Sequence, residues 1–283
     1  MNQIGPLLPT GMLRPMSELL AAQSAALRPA TSLTTGIPAL ALDNLAPSTV
    51  PQASAQSQLA FVQPALIGPG DRVLHIGDSH TAGIYGKEMD KLLRGTGAKV
   101  ETYGSSSSRP SWFLNGYPTT WGFFGKDENG VADIPKNWKD PHPTPKLPDL
   151  IGRFHPNVIM ISLGANLLGS NGDNIEKEVR QLADVAKASG AKIIWVGPPD
   201  GVESKKPTSK QASLYQHLEK VARQYGDFID SRPMTEYPVD AEGKPLGDGV
   251  HYNHNKKDKT GKGAKIAMDW TKEVFRQIQA LQP

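Results

Sequence analysis

From residue 72 onward, short apolar runs alternate with longer stretches in which apolar residues recur every three or four positions. "RVLHIG" (72–77), "AKVETYG" (98–104), "NVIMISLG" (157–164), "AKIIWVGPP" (191–199) and "DFIDS" (227–231) read as strands, with 157–164 the most apolar and therefore central. The stretches 81–97, 174–190, 209–226 and 263–281 read as helices. In 174–190, Ile175, Val179, Leu182 and Val185 form one stripe and Gly190 is the stop. Such alternation predicts a parallel sheet with helices on both faces, an α/β fold.

Two segments break the pattern. Residues 105–150 show neither period, are rich in proline, and hold Trp112, Phe113, Tyr117, Trp121, Phe123, Phe124 and Trp138. An irregular insertion of that length is functional or disordered, and its aromatics argue against disorder. Residues 1–69 are rich in Ala, Ser, Pro and Leu and carry only Arg14, Glu18, Arg28 and Asp43 as charges. They read as an extended or partly disordered leader or arm, with a short helix at 16–27, ahead of one folded domain at 70–283. The opening residues are broken by Gly and Pro and do not form a Sec signal. A non-Sec export signal or an assembly partner is the functional alternative for this arm. The compartment is open between the bacterial cell envelope, secretion by such a route, and the cytoplasm.

Composition excludes several classes. With 31 basic and 28 acidic residues the net charge is +3, too balanced for a nucleic-acid partner. No apolar run reaches the ~20 residues of a membrane span. There is no cysteine, so thiolate chemistry and cysteine-ligated zinc are ruled out. His251, His254 and Asp248 match no local metal spacing, so neither metal nor cofactor is expected.

Ligands of parallel α/β sheets bind at the carboxyl ends of the strands. Those ends carry Gly77-Asp78-Ser79, then Gly104 with "SSSSRPSW", then Asn166 in "GAN"; Asp248 and His251 in "DGVHY" stand before the last helix. Together they hold what acyl transfer needs. Ser79 is a hydroxyl nucleophile, His251 a base for it, and Asp248 a carboxylate that fixes the imidazole tautomer. The Ser79 N–H, an N–H of the Gly104 loop and the Asn166 amide can receive an oxyanion. Ser106 or Ser107 supplies the loop donor if the loop is shifted. Asp78 is read as structural, and the competing reading of Ser79 is a helix N-cap. His80, Ser106, Arg109, Trp112 and Trp121 are candidate substrate contacts, the tryptophans by stacking on sugar rings. The basic run 254–265 is a candidate attractor of an acidic glycan.

In order and kind these four blocks resemble those of the SGNH (GDSL-like) hydrolases, over roughly residues 70–280. The resemblance implies a flavodoxin-like three-layer α/β/α sandwich, a Ser79–His251–Asp248 triad and a Ser79/Gly104/Asn166 oxyanion hole. His80 stands where the family usually has leucine. The tryptophan-rich insertion is similar to that of members acting on cell-wall or other polysaccharides. The expected function is therefore a serine esterase that removes acyl groups, O-acetyl first, from a polysaccharide such as peptidoglycan. The alternatives are a glycan-cleaving lytic transglycosylase or glycoside hydrolase using Asp248 as acid/base, and an O-acyltransferase. A non-catalytic glycan-binding protein would not need the full Ser/Asn/Asp/His set.

Overall fold

The structure, a computed structural model, describes residues 65–253 and 258–282. The chain runs through β1 (Arg72–Gly77), α1 (Ser79–Ala82), α2 (Ile84–Gly95), β2 (Lys99–Ser105) and α3 (Trp112–Asn115). Next come β3 (Pro118–Thr119), β4 (Phe123–Lys126), β5 (Ala132–Asp133), β6 (His142–Pro143), α4 (Leu147–Phe154) and β7 (Val158–Ser162). The last part is α5 (Gly172–Ala188), β8 (Lys192–Val196), α6 (Thr208–Ala222), β9 (Asp227–Ile229) and α7 (Lys262–Gln279). Seven strands form one sheet in the order β5-β4-β2-β1-β7-β8-β9, and its five right-hand strands, β2 to β9, are all parallel.

The parallel part has the doubly wound order in which the chain reverses direction between β1 and β7, the crevice where such sheets bind ligands. Register sets the depth of that crevice. Gly77 at the end of β1 lies level with Gly104 on β2 and Ser162 on β7, so the loops that follow all three strands leave from one edge.

Side chains alternate across the sheet, as the strand period requires. Leu74, Ile76, Ile159, Ile161, Ile193 and Trp195 face α4, α5 and α6. Val73, Val100, Val158, Met160, Ile194 and Val196 face α2 and α7. The result is a three-layer α/β/α sandwich. On α5 the buried Ile175, Val179, Leu182 and Ala186 keep helical spacing. On α7 it is Trp270, Val274 and Ile278. Each aliphatic so buried stabilises the fold by ~1.5–3 kcal/mol relative to exposure.

Three details differ from expectation. The helix read at 81–97 is two helices, because Gly83 takes an extended backbone between α1 and α2. The insertion read as patternless is ordered: β4 pairs antiparallel with β2, β5 pairs with β4, and β3 with β6 makes a separate ribbon. These strands are two to four residues long and β3 and β6 contain proline, too short to show a period. The arm read as ending at residue 69 joins the domain sooner. Ile67 is buried against α7, where its N–H donates to Gln279 Oε1 (2.9 Å) and Gln279 Nε2 donates back to its carbonyl (3.0 Å). The rest of the arm through residue 64, with its expected helix at 16–27, and residues 254–257 of the basic run lie outside the described residues. Among the described residues no helix is long and apolar enough to cross a membrane.

Candidate active site

The turn after β1 admits only glycine first. A Cβ on Gly77 would sit 1.9 Å from Thr81 Oγ1 and 2.8 Å from the Ser162 carbonyl. Asp78 then caps α1: its Oδ1 accepts from the His80 N–H (3.0 Å), and its own N–H donates to Ser162 O (3.3 Å). The capping role considered for Ser79 thus falls to Asp78. Ser79 is the first residue of the helix, with an N–H that has no intrahelical acceptor and a side chain left for other use. Burial pushes the Asp78 carboxyl up to about 6, against the His80 N–H and the charges of Lys206 and His251.

Ser79 Oγ lies 2.8 Å from His251 Nε2, and His251 Nδ1 lies 2.6 Å from Asp248 Oδ2. The other Asp248 oxygen accepts the N–H groups of Val250 and His251, both at 2.8 Å. Gly249, at φ 86°, allows that tight loop. Burial pushes Asp248 up, but the His251 ring, these two N–H bonds and the His251 charge outweigh it and hold the carboxyl well below the usual range. An ionised carboxylate only accepts, so Nδ1 carries the proton and Nε2 is left as the base facing Ser79.

Asn166 stands on the 3₁₀ turn Ala165–Leu167 after β7 and donates Nδ2 to the Ser108 carbonyl (2.9 Å). It lines a groove of about 970 Å³ together with Ser79, His251, Asp248, Ser106 and Ser107. Gly104 does not line that groove. It is inside β2, where a Cβ would sit 2.2 Å from the Ala82 nitrogen and 2.5 Å from the Thr81 carbonyl carbon. Its glycine lets β2 approach the helix that carries Ser79. Of the serines that follow, Ser106 donates its N–H to Gly122 O. Ser107 has φ 66°, and its N–H makes no hydrogen bond among the described residues. The four-serine run offered several registers and hid this one.

The remaining candidates separate. Trp121 lines the groove and is 57% exposed. Trp112 packs edge-on against Tyr117, away from the groove. Arg109 is committed to Glu178 (2.5 Å). His80 is buried between the rings of His251 (5.4 Å) and Trp270 (5.9 Å). Groove residues that the sequence did not single out as contacts are Trp138, Lys87, Lys205 and Lys206. Among the described residues no cluster of His, Asp or Glu could hold a metal ion.

No protein-family model matches the chain. It is 33% identical over 141 residues to protein BcsX of Komagataeibacter xylinus, covering 47% of this chain and 52% of that one. The chain thus aligns with about half the length of this curated relative. Among solved structures it is similar to a carbohydrate acetylesterase family member from Sinorhizobium meliloti (TM-score 0.48, 17% identity, 75% of this chain and 100% of that chain). It is also similar to a GDSL-like lipase from Bacteroides thetaiotaomicron (TM-score 0.41, 16% identity, 75% and 89%).

Proposed function

We propose that the protein is a serine esterase that deacylates a glycan through an acyl-enzyme on Ser79. The observation that carries this reading is the unbroken chain Ser79 Oγ–His251–Asp248, at 2.8 and 2.6 Å, at the rim of an open groove. His251 Nε2 takes the Ser79 proton as Oγ attacks the ester carbonyl. The C–O bond then breaks and the same proton goes to the leaving sugar hydroxyl. Water, deprotonated by Nε2, attacks the acyl carbon; the bond from that carbon to Ser79 Oγ breaks, Nε2 returns the proton to Oγ, and the acid leaves. The N–H groups of Ser79 and Ser107 and the Asn166 amide receive the oxyanion, each donor worth roughly 10²–10³ in rate.

Two exposed indoles favour a glycan. Trp121 and Trp138, 57% and 51% exposed, stand in the groove wall that the insertion builds. Trp138 lies on Gly122, where a Cβ would meet its ring at 2.1 Å. Flat aromatic surfaces held this way suit the apolar faces of sugar rings, with peptidoglycan one such polymer. Glycosidic cleavage is less favoured, because an acid needs a raised pKa and Asp248 is held ionised. An acyltransferase would use the same acyl-enzyme with an alcohol in place of water.

The test pairs wild type with Ser79→Ala on O-acetylated peptidoglycan, with acetate and soluble glycan fragments measured together. Acetate release that is lost in the variant supports the esterase. Fragments that survive the substitution, with no acetate, contradict it. Acyl transfer to an added oligosaccharide in preference to water supports the acyltransferase.

A further inference from the structure

Resting on that reading, we infer that the substrate carries a carboxylate close to the scissile ester, bound by Lys206 with Lys205 and Lys87. The groove is lined by these three lysines against a single carboxylate, Asp248, which is already bonded to His251 and two N–H groups. Lys206 is the informative one. It is 5% exposed, yet its ammonium has one partner among the described residues, the Pro199 carbonyl at 2.9 Å. Its chain is pinned by Gly201, where a Cβ would lie 2.7 Å from Lys206 Cδ.

The acids nearest in charge, Asp78, Asp200 and Asp248, form no ion pair with Lys206 within 4.0 Å. Each is held by other donors: Asp78 by the His80 N–H, Asp200 by Gln211 Nε2, Asp248 by His251. A buried ammonium with two of its three protons unused is costly unless a ligand completes it. An anion entering the groove would. Lys205 and Lys87 are exposed on the same rim and add long-range attraction.

The carboxylate can belong to the sugar, as in a uronate, or to the acyl group, as in a dicarboxylic half-ester. Calorimetric titration of full-length Ser79→Ala, which cannot turn esters over, separates these sources. One arm compares a galacturonate oligomer with a neutral xylose oligomer of equal length. The other compares monomethyl succinate with methyl pentanoate. The expectation is about tenfold tighter binding of the anion in at least one arm at low salt. At about 1 M salt, where the Debye length is about 3 Å, the share supplied by exposed Lys205 and Lys87 should be lost, while the share supplied by buried Lys206 should remain. Lys206→Met in the same background should abolish most of the preference. Lys87→Gln, at an exposed site, should reduce it two- to threefold, by roughly 0.4–0.7 kcal/mol of binding.

Equal binding of charged and neutral members in both arms, or no binding of either anion, overturns the inference. So does a preference that persists in both lysine variants. Anion binding without any esterase activity in wild type would instead overturn the function proposed for Ser79 and leave the lysine site standing.

Discussion

Gly104→Ala separates two roles for the glycine that the sequence places beside the nucleophile. If Gly104 acted only as a backbone donor, alanine would serve, because it keeps the N–H. The structure gives a different role. The new Cβ would sit 2.2, 2.5 and 2.7 Å from backbone atoms of Thr81 and Ala82, with no flexible side chain to yield. Ordinary contact is at about 3.5 Å, so β2 and α1 must part by roughly 1.3 Å. Overpacking of this kind costs about 1–3 kcal/mol, and the rigid backbone on both sides puts this site at the upper end. The helix that moves begins with Ser79, and about 1 Å of misplacement at a reacting group costs roughly 10² in rate. Urea unfolding and p-nitrophenyl acetate kinetics, run on the same preparations, read both effects. A variant as stable and as active as wild type would refute the packing argument.

Asp248→Asn should lower kcat/KM roughly 10³–10⁴-fold at neutral pH with little loss of stability, because the amide no longer enforces the Nδ1–H tautomer; steady-state ester kinetics and a melting curve check it. Asn166→Ala should lower kcat by about 10²–10³ with KM nearly unchanged, since the donor acts on the oxyanion. His75, fully buried and bonded to Ser162 Oγ at 3.0 Å, is pushed down to about 3 by burial, against the pull of Asp90. A histidine with a depressed folded pKa binds its proton more readily when unfolded, so its contribution is lost as pH falls from about 6.5 toward 3. His75→Gln should therefore close the stability gap to wild type by up to ~1.4 kcal/mol per pH unit between about pH 6 and 4. Urea midpoints measured across that range test this, and a gap independent of pH would contradict it.

The parallel sheet was legible because β7 and β8 are nearly continuous apolar runs and the helices between the strands carry apolar stripes. Ile175, Val179 and Leu182 are buried as their spacing requires. The insertion was not legible, because β3, β5 and β6 are two-residue strands, too short to show a period, and β3 pairs with a β6 about 25 residues further on. The convergence of Ser79, Asn166, Asp248 and His251 on one groove was legible because each stands at a strand end or just ahead of the last helix. Gly104 misled as a donor because a glycine needed for close packing and one needed beside a substrate look alike in sequence. The burial of Lys206 was not legible, because lysine is ordinarily a solvated residue; in the fold its stem lies close to Gly201 and its ammonium donates to the Pro199 carbonyl.

Covalent labelling with a fluorophosphonate, followed by peptide mass spectrometry, tests whether Ser79 is the nucleophile. A serine activated by His251 should take one phosphonyl group at Ser79, and labelling should disappear in Ser79→Ala and fall sharply in His251→Ala. An unlabelled Ser79 in folded wild type, or equal labelling at other serines, would contradict the triad.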